Sequence, residues 1–318
     1  MARWQWNFKT LALWAVLLVA IPFFAPMRGY ATAPQGANTI SIRDDRGKEI
    51  RLDHPARRII ALYGAFNEII AALGEEQRII ARTKADESPP SITTLPVIGT
   101  HMRPNIELVL SLSPDLIVQN MGRKRALEPV KALERQGLNV VVFDMNSIEG
   151  LHSATLRLGR LMGCDGRAQA LVSHMKGEIE AIRKRSEKWR RRPKVFFEVR
   201  YPNLLGAGGT NIVSQIIEIA GGENCFASVK KKFVRPNIEA VIECDPDLYL
   251  IQKGPMNRSP GNPVDRPNFK LIRAIREGKW HIVPEELYSR PTPNIVKAME
   301  ALQEMLSRLG APQVSSKN

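Results

Sequence analysis

Two arginines carry the most specific chemistry in this sequence, because each opens the same five-residue string. Arg103-Pro104-Asn105-Ile106-Glu107 returns as Arg235-Pro236-Asn237-Ile238-Glu239, and the match continues to nine identities over the sixteen aligned positions 103–118 and 235–250. A guanidinium presents a planar fork of donors that bonds carboxylate or catecholate oxygens in pairs. One repetition at about half the chain length predicts two lobes built on related units, not a short-period solenoid.

The elements that position these arginines read alike in both copies. Pro at the second position suits the first turn of a helix. The helix carries Ile106, Val109 and Leu110, or Ile238, Val241 and Ile242, on one face. Pro114-Asp115 and Pro246-Asp247 break it, and apolar runs from Leu116 and Leu248 read as buried parallel strands. Each Arg therefore sits in a loop ahead of a helix, outside the core. Around the first copy the pattern predicts a hairpin over 39–52, strands over 58–62, 78–83 and 140–143, and helices over 68–73 and 128–136. Strands alternating with helices mean an α/β lobe with a parallel sheet. A helix over 147–163 follows. A longer one over 166–189 has an apolar stripe of Ala168, Leu171, Val172, Met175, Ile179 and Ile182. Its last turns carry the basic cluster Arg183–Arg192, which suits the negative helix end. The second lobe has a strand over 195–199, helices over 211–220, 269–277 and 294–309, a strand over 281–283 and a loop over 254–268. Gly206–Thr210 lacks the Lys-Ser/Thr of a P-loop and reads mainly as a tight connection.

The chain has 318 residues and a net charge of +14, which favours anionic partners. Arg3 and Lys9 precede an apolar centre, Leu11–Ala25, and small residues follow at Gly29-Tyr30-Ala31. This pattern predicts a secretory signal peptide cleaved after Ala31, hence a periplasmic protein, and argues against nucleic acid as a partner. An uncleaved N-terminus on a membrane-tethered scaffold is the competing reading. Three cysteines make no disulfide framework, and whether Cys225 pairs with Cys244 stays open. No Gly-x-Ser-x-Gly elbow, His-Glu-x-x-His or Cys-x-x-Cys occurs, so the chain reads as no enzyme and as holding no metal site of its own.

Taken together, several segments resemble the periplasmic binding proteins of ABC importers for iron-siderophores, haem and vitamin B12. They are Arg58–Leu62, Asn67-Glu68-Ile69, Ala72-Leu73-Gly74, Asn105-Ile106-Glu107, Leu112–Ile117, Ile219–Asn224, Ile238-Glu239 and Asp245-Pro246-Asp247. The resemblance covers about residues 40–310. It implies two Rossmann-like α/β lobes, 32–164 and 193–318, joined by one rigid helix, 165–192, after a signal peptide, 1–31. Ligand would lie between the lobes, where loops at the carboxyl ends of parallel strands converge. Those loops carry Tyr63, Phe66 and Asn67; His101, Met102 and Arg103; Arg200 and Tyr201; Phe233 and Arg235; Lys253; and Tyr288 and Arg290. The implied ligand is a bulky anionic metal chelate, ferric siderophore first. Haem is next, with His101 and Tyr63 as candidate iron ligands, and cobalamin third. No cofactor is expected beyond the iron or cobalt that a ligand brings. The resemblance further implies a monomer that docks on an inner-membrane ABC permease through acidic residues, Glu128 and Asp265 being the candidates.

Overall fold

In the computed structural model, which describes residues 39–122 and 124–309, alternate residues of each strand separate onto two faces. The signal-peptide reading lies outside the described residues. The chain begins with an antiparallel hairpin, β1 (Ile40–Arg43) and β2 (Glu49–Leu52). Then come β3 (Ile59–Ala61), α1 (Ala65–Ala72), β4 (Ile79–Ala81), the two-residue strands β5 (Gly99–Thr100) and β6 (Arg103–Pro104), α2 (Ile106–Ser111), β7 (Leu116–Asn120), α3 (Glu128–Arg135) and β8 (Val140–Phe143). β4-β3-β7-β8 form a parallel sheet. Helices α4 (Ile148–Met162) and α5 (Asp165–Glu187) follow.

Lobe two contains β9 (Lys194–Arg200), β10 (Leu205–Ala207), α6 (Ile212–Ile219), β11 (Glu223–Asn224), β12 (Phe233–Val234), α7 (Ile238–Cys244), β13 (Leu248–Lys253), α8 (Arg273–Arg276), β14 (Trp280–Pro284), α9 (Glu285–Tyr288) and α10 (Ile295–Arg308). Its sheet runs β12-β10-β9-β13-β14, with β11 beside β9. β9, β11, β13 and β14 are parallel, while β10 and β12 add an antiparallel edge. The helix expected over 269–277 is instead a 3-10 turn, Phe269–Leu271, followed by α8.

The faces explain how the lobes are joined. Ile59, Ala61, Leu116, Val118, Val141 and Phe143 of lobe one share a single apolar core with Val195, Phe197, Val199, Leu248 and Leu250 of lobe two. The intervening residues face separate cores: Ile60, Ile117, Val140 and Val142 in lobe one, Phe196, Tyr249 and Ile251 in lobe two. α5 runs through the shared core. It packs on α4 at its start and on α6 and α10 further along. Its buried stripe is Ala168, Val172, Met175, Ile179 and Ile182, as the helical spacing predicts. Twenty-three residues at about 1.5 Å each make a rod of roughly 35 Å. Arg167 pairs with Glu75 at one end, and Arg185 donates to Gln303 (2.7 Å) at the other. Swinging one lobe against the other would open this continuous core.

The duplication holds at the level of single bonds. Asn105 and Asn237, not the prolines, cap the two helices; their side chains accept from Leu108 N (3.1 Å) and Ala240 N (3.0 Å). Pro104 and Pro236 therefore precede the caps and lie outside the first turns expected of them. Ser113 and Asp245 both take left-handed backbone (φ 46° and 51°) after their helices. Asp115 accepts from Arg58 N (3.0 Å) and Asp247 from Lys194 N (2.8 Å), so each Pro-Asp staples its strand to the start of a neighbour.

Candidate functional site

The carboxyl ends of the strands bring the predicted residues to two separate places. The first is a contact between lobes. α1 begins at Ala65 directly after β3, which sends Glu68 toward the loop after α9. Glu68 pairs with Arg290 (3.3 Å) and accepts from Asn294 Nδ2 (3.3 Å). Asp86 lies alongside, held by Thr83 Oγ1 (2.8 Å) and N (3.2 Å). Gly64 is needed there, since a Cβ would collide with the Asp86 carboxylate beside Arg290.

At this contact the carboxylates of Glu68, Asp86 and Glu285 surround the one guanidinium of Arg290. Burial raises the Asp86 carboxyl above its ordinary value against the Thr83 bonds and the Arg290 charge. Burial likewise raises Glu285, against a bond with Met256 and the charge of Arg290. The Tyr63 phenol is pushed up to about 12 by burial, with Arg290 opposing and the carboxylates of Glu285, Glu68 and Asp86 adding to the rise. Burial pushes His101 down, although Asp86 pulls the other way. Arg290 is thus partnered inside the protein rather than held ready for a ligand.

The second place is an open pocket of about 710 Å³ on lobe two, beside the end of β9. Arg200, Lys231 and Arg235 line it together with Phe226, Phe233 and Met256, and no acidic side chain lines it. The Nε of Arg200 is buried with no hydrogen-bond partner. Lys232 lies 5.9 Å from the centre of the Phe233 ring and reaches across to Asn146 of lobe one (2.5 Å). The wall from Ala227 to Lys232 is backed by the glycine loop. Gly208 and Gly209 approach the Lys231 and Ala227 carbonyl oxygens so closely that no Cβ fits. That confirms the loop as a tight connection.

Three of the expected residues, Arg200, Phe233 and Arg235, therefore share one pocket. Tyr63 and Arg290 meet instead at the lobe contact, with His101 within range of Asp86. Met102 and Arg103 sit on the small β5–β6 hairpin of lobe one, Arg103 exposed and not part of the lobe-two pocket. Lys253 is exposed at the end of β13.

Four expectations need correction. Phe66 and Asn67 are fully buried, because α1 starts at Ala65 and turns both inward; Phe66 packs on Phe143 at 5.9 Å between ring centres. Tyr288 is 2% exposed and lies near Phe197 in the shared core. Tyr201 turns back over Arg266 (4.1 Å from ring centre to guanidinium carbon) and Phe269, into the base of lobe two. Glu128 and Asp265 are exposed, Glu128 beginning α3 with Lys131 3.8 Å away and Asp265 ending a short 3-10 turn. Sequence reasoning missed Lys231, Phe226 and Met256. The run Lys230-Lys231-Lys232-Phe233 was the available signal for the first of these. Cys225 and Cys244, left open above, are disulfide-bonded.

A family model described as periplasmic binding protein matches residues 59–287. An uncharacterised ABC transporter substrate-binding lipoprotein, YvrC of Bacillus subtilis (strain 168), is 23% identical over 310 residues, covering 94% of this chain and 97% of its own. Among solved structures, the apo form of the periplasmic haem-binding protein RhuT from Roseiflexus sp. RS-1 superposes with a TM-score of 0.70 at 24% identity, covering 80% of this chain and 99% of that one. The periplasmic vitamin B12 binding protein BtuF of Vibrio cholerae gives 0.69 at 19% identity, covering 81% and 99%. With the same two-lobed fold and a family match over most of its length, the chain belongs to the periplasmic binding proteins and is the substrate-binding component of an ABC transporter.

Proposed function

We propose that this component captures a bulky anionic metal chelate, a ferric siderophore first, outside the cytoplasm and delivers it to its ABC permease. One observation carries the reading: three cationic side chains converge on an open pocket of about 710 Å³ that has aromatic walls and no acid in its lining. Guanidinium forks bond paired carboxylate or catecholate oxygens. Phe226 and Phe233 offer flat apolar cover. The buried Nε of Arg200, without a protein partner, is a donor for which a ligand oxygen is a natural acceptor.

Haem ranks second, through His101. Its depressed pKa keeps the imidazole neutral, the form that ligates iron. Tyr63 is a poor iron ligand here, since a phenol raised to about 12 resists becoming phenolate. Cobalamin ranks third, the described chain having Trp189 and Trp280 and neither lining the pocket. Docking on the permease is assigned to Glu128 and Asp265, both exposed. Charge reversal at either should reduce stimulation of permease ATP hydrolysis; unchanged stimulation removes that residue.

The test is titration calorimetry of the purified exported protein with ferric catecholate, ferric citrate, haemin and cobalamin. A ferric chelate should bind tightest. Arg200→Ala with Arg235→Ala should weaken it at least about tenfold, since a hydrogen bond to a charged group contributes about 1.5–3 kcal/mol. Preferential binding of cobalamin, unaffected by the double variant, would reject the reading.

A further inference from the structure

Seven of the ten residues lining the lobe-two pocket fall inside the ring closed by the Cys225–Cys244 disulfide, whose cysteines are 19 positions apart. Apart from the bridge, this stretch is held mainly by backbone bonds and buries few side chains. Residues 225–232 form turns without helix or strand, and Lys230, Lys231 and Lys232 are exposed. β12 contributes only the pairs Val234–Gly206 and Phe233–Ala207. Phe226 rests edge-on against Phe196 (5.8 Å), three backbone bonds tie the turns to the glycine loop, Gly208 N to Lys232 O (3.1 Å), Gly209 N to Val229 O (2.9 Å) and Thr210 N to Lys231 O (3.4 Å), and Asn211 Nδ2 donates to Lys232 O (3.0 Å). A segment with few buried contacts opens locally at low cost. A pocket competent for only part of the time loses affinity by that fraction.

The duplication supplies an internal control. In lobe one the position aligned with Cys244 is Leu112, within the matched segment. That lobe has the same Asn-capped helix, left-handed turn and Pro-Asp staple without a bridge. The repeated unit therefore folds without a disulfide, and in lobe two the bridge closes a ring that carries most of the pocket wall.

We infer that the Cys225–Cys244 bridge is a positioning element of the binding site, holding Lys231, Phe233 and Arg235 in the arrangement that takes the ligand. This rests on the reading of the lobe-two pocket as the site for an anionic chelate. The bridge contributes no contact to the ligand itself and acts by limiting the conformations of the wall.

The experiment compares oxidised wild type, Cys225→Ser/Cys244→Ser and Arg235→Ala. Ferric catecholate affinity is measured by calorimetry, and amide hydrogen exchange is followed in the ligand-free proteins. The double serine variant should bind about tenfold or more weakly, and its amides over 226–236 should exchange about tenfold or more faster, while α5 keeps its protection. Wild-type affinity in the serine variant alongside weakened binding by Arg235→Ala overturns the inference and leaves the pocket reading standing. If wild type binds no chelate, the pocket reading fails. Exchange then decides alone: faster exchange confined to 226–236 supports the bridge as the element ordering that wall, and unchanged exchange overturns it. Loss of protection spread equally through α5 overturns it too, because the bridge would then serve the whole fold.

Discussion

Removing the Glu198 carboxylate should be the most damaging single change in lobe two. Glu198 is fully buried on β9. Its Oε2 accepts from Tyr249 OH (2.7 Å) and Arg266 Nη1 (2.6 Å), and its Oε1 from Arg266 Nη2 (3.1 Å) and Asn257 Nδ2 (3.4 Å). The Arg266 side chain is itself only 5% exposed and lies between Tyr201 and Phe269. Glu198→Ala leaves that guanidinium buried with Pro260 O (2.7 Å) as its remaining acceptor. It also strips Tyr249 OH of its partner. Breaking a buried pair from one side costs about 3–5 kcal/mol, a large share of the roughly 5–15 kcal/mol that holds a typical protein folded. Replacing both members, Glu198→Met with Arg266→Leu, removes the charges together, and the remaining loss is about 1–3 kcal/mol for the orphaned Tyr249 hydroxyl. Urea unfolding monitored by circular dichroism measures both. The double variant should unfold at a higher urea concentration than Glu198→Ala. A single variant within about 1 kcal/mol of wild type, below the lower bound for breaking a buried pair, would refute the argument that Glu198 and Arg266 form a desolvated ion pair.

Other consequences are testable in the same way. Losing the disulfide should lower stability by about 3 kcal/mol from the chain entropy of a ring this size, read from the urea midpoint of Cys225→Ser/Cys244→Ser. Gly208→Ala should destabilise by about 1–3 kcal/mol, because the new methyl meets the Lys231 carbonyl; an unchanged melting temperature would contradict the close approach. The carboxylates titrate with opposite signs. Burial tends to raise Asp247, but Arg191, the Lys194 N–H and Arg273 outweigh it and hold the group below its ordinary 3.8. Its contribution is therefore present above pH 4 and lost as pH falls through the folded value. Because Arg191 is half exposed, the effect is small. Wild type and Asp247→Asn should differ at pH 6 and converge in acid. Asp86 and Glu285 are raised, so they favour folding below their ordinary values and oppose it as pH rises through the folded ones. Asp86→Asn should flatten that part of the stability profile.

The sequence displayed the architecture through the features that folding itself demands. The repeat was visible because Asn caps, buried Val109 and Val241, and the Pro-Asp staples recur for structural reasons in both lobes. The interlobe helix was visible because five buried residues repeat at helical spacing. The site was less visible. Phe66 and Asn67 belong to loop or helix according to a start at Ala65 that no cap residue announces, since Gly64 offers no side chain. Arg103 and Arg235 share a position in the repeat but not a setting: one tips an exposed hairpin, the other lines a pocket. Arg290 looks like a free cation in sequence, and only the fold brings Glu68, 222 positions away, to meet it. Phe226 and Lys231 lie in turns with no periodicity to mark a face.

The most direct test of the lobe-two pocket is the affinity of ferric catecholate for Arg200→Ala/Arg235→Ala beside Arg103→Ala. The pocket predicts a loss of about tenfold or more for the pair and little change for Arg103→Ala. Equal affinity in wild type and the pair, with binding abolished by Arg103→Ala, would move the ligand to lobe one and contradict the account.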